Sequence, residues 1–146
     1  MVIGESATLI FGIGDSLLSI EITLEENRDL PNHGDARLEM AAESAGFSGA
    51  ASCWVDRDVL ASFTLALQRM AHTLTGTAEL QSTSPGELSL QIYPLSSRGV
   101  FGVEGQIGRG NYGQEKRFWH SINFGFAVEY SQIEKAASQL KRLTAK

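Results

Sequence analysis

The run Gly108-Arg109-Gly110-Asn111-Tyr112-Gly113 has the spacing G-x-G-x-x-G. Where that spacing joins a strand to a helix, backbone amides at the helix start can hold a pyrophosphate. Here the residues that follow, Phe118, Ile122, Phe124, Phe126 and Val128, alternate like a strand, so the helix is missing and a nucleotide site is excluded. The glycines read instead as a flexible hairpin loop supplying positive φ, from which Arg109 and Tyr112 are offered to a partner. His33, His72 and His120 lie too far apart for a short metal-ligand spacing, and no cofactor or metal is expected. By parity with Ile122 and Phe124, His120 is expected inside as a hydrogen-bonded core histidine. Cys53, between Ser52 and Trp54, has no activating base in its neighbourhood and reads as a buried, inert thiol. No serine lies in G-x-S-x-G, and the carboxylates are scattered, so no general acid and base pair follows from spacing. The chain is not expected to be an enzyme.

These residues have to be positioned by strands and two helices. Leu9, Phe11 and Ile13 alternate, Gly14-Asp15 turns the chain, and Leu18, Ile20, Ile22 and Leu24 alternate again, which predicts a hairpin with one wet face. Glu25 to Asp35 is a loop rich in turn formers. Leu38, Met40 and Ala42 then share a face opposite Arg37, Glu39 and Glu43, and Phe47, Ala51, Cys53 and Val55 continue beyond a bulge or bend expected at Gly46 and Gly49. Between Asp56 and Gly76 the period becomes helical through Val59, Leu60, Phe63, Leu67, Met70 and Leu74, with Asp56 as the N-terminal cap and Gly76 as the left-handed stop. Four further strands follow, marked by Ala78 and Leu80, by Leu88, Leu90 and Ile92, by Phe101, Val103 and Ile107, and by Phe118 to Val128. Ser131-Gln132-Ile133-Glu134 has capping-box spacing and opens a last helix with Ile133, Ala136, Ala137, Leu140 and Leu143 on one stripe. Trp54 and Trp119 are expected to fill space at element junctions.

The expected architecture is a single α+β domain over residues 1–146. It has one antiparallel, mostly meander sheet of about seven or eight strands, because the short connections leave no room for parallel crossovers. The helices are placed at 56–75 and 131–145. A lone cysteine, no signal-peptide pattern at Met1 to Asp15, and no apolar run long enough for a membrane helix predict a cytoplasmic protein with no membrane partner. The net charge of −5 is unevenly spread, with eleven acids and three bases up to Asp58. That imbalance argues against nucleic acid and leaves room for a basic protein partner, for which Glu25, Glu26, Asp29 and Asp35 form the candidate contact.

From Phe47 to Leu80 the order is a Trp54-Val55 pair, a short polar step, Leu60 and Phe63 opening a helix, and the strand Gly76-Thr77-Ala78-Glu79-Leu80. With Glu87 to Leu90, Gly99 to Gly105 and a final strand leading into a C-terminal helix, residues 36 to 143 resemble the WapI-type immunity proteins of bacteria. Relatives tend to carry an acidic residue just before the last helix, which Glu129-Tyr130-Ser131 matches in part. The resemblance implies a small cytoplasmic protein that binds and inactivates the toxic C-terminal domain of a polymorphic toxin, with no catalytic residues. Two other readings fit the same residues: a self-associating interaction domain, for instance a homodimer, joined through a sheet edge or an apolar face, and a small-ligand binder or enzyme with its pocket between sheet and helices.

Overall fold

The chain lays down β1 (Ser6–Ile13), β2 (Ser16–Leu24), β3 (Ala36–Ser44) and β4 (Phe47–Val55), then α1 (Arg57–Thr73). It continues through β5 (Ala78–Gln81), β6 (Leu88–Pro94), β7 (Val100–Gly110) and β8 (Trp119–Glu129) into α2 (Tyr130–Thr144). The computed structural model describes residues 5–111 and 115–145. Every strand pairs antiparallel with the next except across α1, so the expected single sheet is corrected to two four-stranded ones, β1-β2-β3-β4 and β5-β6-β7-β8. Period two and short turns determine neighbours within each run of strands. They carry no information about pairing across a helix of 17 residues.

The turns follow from backbone chemistry. Gly14, with φ of 58°, opens the two-residue link between Ile13 and Ser16, the glycine-first arrangement of a type II′ hairpin. Ala45 and Gly46, with φ of 53° and 87°, link Ser44 to Phe47 as a type I′ turn. The bend expected at Gly46 is this turn, but no bulge forms at Gly49, since pairing runs unbroken from Ser44↔Phe47 to Ala36↔Val55. Gly49 serves close approach instead: a Cβ on it would lie 3.3 Å from Ile122 Cγ2, so its bare backbone lets β8 press onto β4. β8 goes on across the turn end of the first sheet, where the Ser44 hydroxyl donates to the Gly125 carbonyl at 3.4 Å.

Immediately after β8, the Gln132 side chain takes the place of a strand. Its Oε1 accepts from the Gly12 N–H and its Nε2 donates to the Gly12 carbonyl, both at 2.8 Å, on the outer edge of β1. An open edge strand invites pairing with foreign chains, and this amide closes β1 at that point.

Inward residues of both sheets, from Leu9 and Phe11 to Phe124 and Val128, form one core with Leu60, Phe63, Leu67 and Met70 of α1 and with Ile133, Ala136, Leu140 and Leu143 of α2. The Tyr130 hydroxyl ties the helices together, donating to the Ala71 carbonyl at 2.6 Å and lying 3.1 Å from the Glu134 carboxylate. Asp56 stands at the N-cap of α1 as expected, but its side chain caps no amide, and the C-terminal stop is corrected. The first amide of α1, Arg57 N–H, donates to Asp35 Oδ1 at 2.9 Å, while Asp56 accepts from the Thr83 hydroxyl. Leu74, with φ of 60°, takes the left-handed stop in place of Gly76, and its N–H reaches the Met70 carbonyl. The capping box does not form: the N-cap of α2 is Glu129, two residues before Ser131, and Glu134 is engaged by Tyr130. Among the described residues, no helix is long and apolar enough to cross a membrane.

Candidate interaction face

The outward residues of the first sheet line up in rows set by the register. Thr8, Glu21, Glu39 and Ser52 form one row across β1 to β4, and Ile10, Ser19, Ala41 and Ala50 form the next. The second row is small in its centre, so a hollow of about 490 Å³ opens there, bordered by Glu21 and Glu39. Glu87, just before β6, and Arg109, near the end of β7, line the same hollow from the second sheet.

Glu21 and Glu39 stand directly opposite one another, an arrangement that costs stability because like charges face each other across the ladder. Arg37 offsets this in part through an ion pair of 3.0 Å with Glu39, but both side chains are more than half exposed, so the pair contributes little. The face therefore presents an excess of negative charge over small side chains. Chemically it can take ammonium or guanidinium groups from a partner surface. Arg109 lines the same hollow and offsets part of that charge.

Cys53 lies on the other side of β4, buried in the core. Desolvation pushes its thiol up to about 12, with the Glu87 and Glu39 carboxylates adding to the shift, so its thiolate is suppressed at neutral pH. Because the unfolded thiol ionises near 9.0, the stability carried by this proton is complete below that pH and is lost as pH rises toward 12. The loss between those limits is about 1.4 kcal/mol per pH unit. Urea unfolding at pH 8 and pH 10 should accordingly show an alkaline loss of roughly 1 kcal/mol in the native chain that is absent from Cys53→Ala. Equal losses in the two proteins would place the thiol in water.

The sequence-predicted contacts are dispersed. Glu25, Glu26, Asp29 and Asp35 share the loop that joins β2 to β3, at the end of the strands carrying Glu21 and Glu39. Two of the four are engaged within the chain: Asp35 caps α1, and Glu26 Oε1 accepts from the Glu5 N–H at 3.4 Å. The loop is also braced by Arg57, whose guanidinium donates to the His33 carbonyl at 2.8 Å. Of the five that lie among the described residues, Arg109 alone lines the hollow. Tyr112 lies outside the described residues. Glu21, Glu39 and Glu87 were not singled out by sequence reasoning. Alternation shows that Glu21 and Glu39 point outward, but only the β2–β3 register sets them side by side.

The glycine run is also corrected. Gly108 and Gly110 belong to β7 and are not among the positive-φ residues. They matter for what their missing side chains admit: a Cβ on Gly108 would come within 2.7 Å of Trp119, and one on Gly110 within 3.5 Å. With Gly86 they form a platform on which the indole lies, an aromatic covering glycine across the ladder. The space that Trp119 fills is the one these glycines leave, and the ring remains 44% exposed. His120, expected inside, is exposed, because β8 has run past the core at that end. Among the described residues no three His, Cys, Asp or Glu side chains gather as a metal site.

A family model described as "Immunity protein WapI-like family" matches residues 9–146. No curated protein and no solved structure matches the chain.

Proposed function

We propose, because the chain belongs to the WapI-like immunity protein family, that it neutralises a bacterial toxin domain in the cytoplasm by binding it and covering its working surface. The family match over nearly the whole chain is the observation that carries this reading. The hollow supplies its chemistry: Glu21, Glu39 and Glu87 on a sheet face of small residues suit a basic protein surface, and the Glu25 and Asp29 side chains extend the negative field at the loop end. Complementary charge of this kind mainly accelerates encounter and sets specificity, while desolvated charge pairs at the centre hold the complex.

Co-expression with the toxin domain encoded beside the chain tests the reading, with growth and the association constant as readouts. Wild-type protein should restore growth. The double reversal Glu21→Lys with Glu39→Lys should weaken binding by about 2 to 5 kcal/mol and flatten the salt dependence of association. Reversal of Glu25 and Glu26 to Lys should slow association with a smaller effect on dissociation, as expected for peripheral charges. A toxin that is neither bound nor neutralised overturns the immunity reading. A toxin bound equally well by the Glu21 and Glu39 double variant moves the contact away from the hollow.

A further inference from the structure

The second sheet has an open edge of its own. Ser82 N–H donates to the Leu88 carbonyl at 3.1 Å, on the line of the register pairs Leu80↔Leu90 and Ala78↔Ile92. Even-numbered residues of β5 therefore direct their main-chain groups at β6, and Glu79 and Gln81 direct theirs away from the sheet. The next residue of that outward set, Thr83, donates its N–H to the Trp54 carbonyl of β4 at 2.8 Å, so this edge already receives backbone from outside the sheet at one point. Among the described residues the outward groups of Glu79 and Gln81 have no such partner.

Alongside them runs a groove of about 450 Å³, lined on the other side by Asp58, Val59, Ser62 and Ala66 of α1. Val59 and Ala66 are apolar and half-buried, and Ser62 is small, which leaves room for alternate side chains of an inserted strand. β5 is four residues long, so a matching segment spans roughly 13 Å. Asp58 and Glu79 give the groove negative charge; the Glu79 carboxylate accepts from Gln91 Nε2 at 3.2 Å, a bond between neutral and charged groups that leaves its charge uncompensated.

We propose that this groove takes an extended, basic segment of a protein partner, which adds to β5 as a further strand of the second sheet and rests its alternate side chains on α1. Hydrogen bonds to Glu79 and Gln81 supply backbone recognition, and Asp58 with Glu79 selects a Lys or Arg in the segment, the division of labour found when peptides extend sheets. The identity of the partner as the toxin rests on the immunity reading; the groove's preference for an extended basic segment does not.

Two variants test it. Gln81→Pro removes the outward N–H without touching the bonds to β6, at an edge position where proline is tolerated. Ser62→Trp fills the groove from an exposed helix position and keeps the test decisive if the proline variant does not fold. With the adjacent-encoded toxin domain as the probe, the complex should slow amide exchange at Glu79 and Gln81. Each variant should lower affinity about tenfold or more, the value of one lost interfacial hydrogen bond or its steric equivalent. A toxin bound with unchanged exchange at both amides and by both variants equally overturns the groove while leaving the immunity reading intact. If the toxin is not bound at all, that reading fails, and a displayed library of random ten-residue peptides decides the groove. Enrichment of Lys- or Arg-containing peptides on the wild type but not on the variants upholds it, and no variant-dependent enrichment overturns it.

Discussion

Phe63→Ala is expected to lower the unfolding free energy by roughly 3 to 5 kcal/mol, with a fall in melting midpoint of about 6 to 20 °C for a chain of this size. Phe63 is fully buried in the middle of the α1 stripe, with Leu60 one turn before it and Leu67 and Met70 after it. The ring belongs to the single core shared by both sheets and both helices, and α1 lies in the stretch of chain that connects the two sheets. Truncation removes the transfer free energy of the ring and leaves a cavity that the surrounding close-packed core closes only in part. Differential scanning calorimetry of the variant measures the effect. An unchanged midpoint would mean that α1 does not rest on the core at this position.

Gly105→Ala should cost about 1 to 3 kcal/mol, through a different mechanism. A Cβ at Gly105 would fall on the Ser89 carbonyl oxygen and within 3.1 Å of Leu90 Cα, so the obstacle is backbone of the neighbouring strand and not a side chain that can rotate away. Relief requires β6 and β7 to part where Leu90 and Gly105 pair. Gly125→Ala is the control. Its Cβ would meet Glu104 Cβ at 3.5 Å, an ordinary contact, and loss of unfolded-state freedom should leave stability equal or higher by about 0.4 to 1 kcal/mol. Equal losses at the two glycines in a urea titration would show that propensity, and not the close approach, governs both.

Much of the fold was legible because burial imposes a period. The strands at Leu18 to Ile22 and Leu88 to Ile92, and the helices through Phe63 and through Ala136, follow the alternation or the helical stripe directly. What the sequence did not reveal depends on contacts between distant segments. Asp35 supplies the capping bond to α1 from a loop 22 residues away, while Asp56 holds the N-cap position without one. Gly108 looks like a turn residue until Trp119 is placed against it. The acidic face has the same character: Glu21, Glu39 and Glu87 come from three separate stretches of chain, and no local motif announces their meeting. His120 has the parity of a core residue, but parity does not say where along β8 the core ends.

The clasp of Gln132 on Gly12 joins positions separated by 120 residues. On the ribosome, the first sheet emerges whole long before the clasping residue is made, and during that interval its outermost strand is exposed with only uncharged side chains, Ser6 to Ile13. The last helix therefore acts as a late seal, and a nascent or prematurely terminated chain is sticky along this border in a way the finished molecule is not.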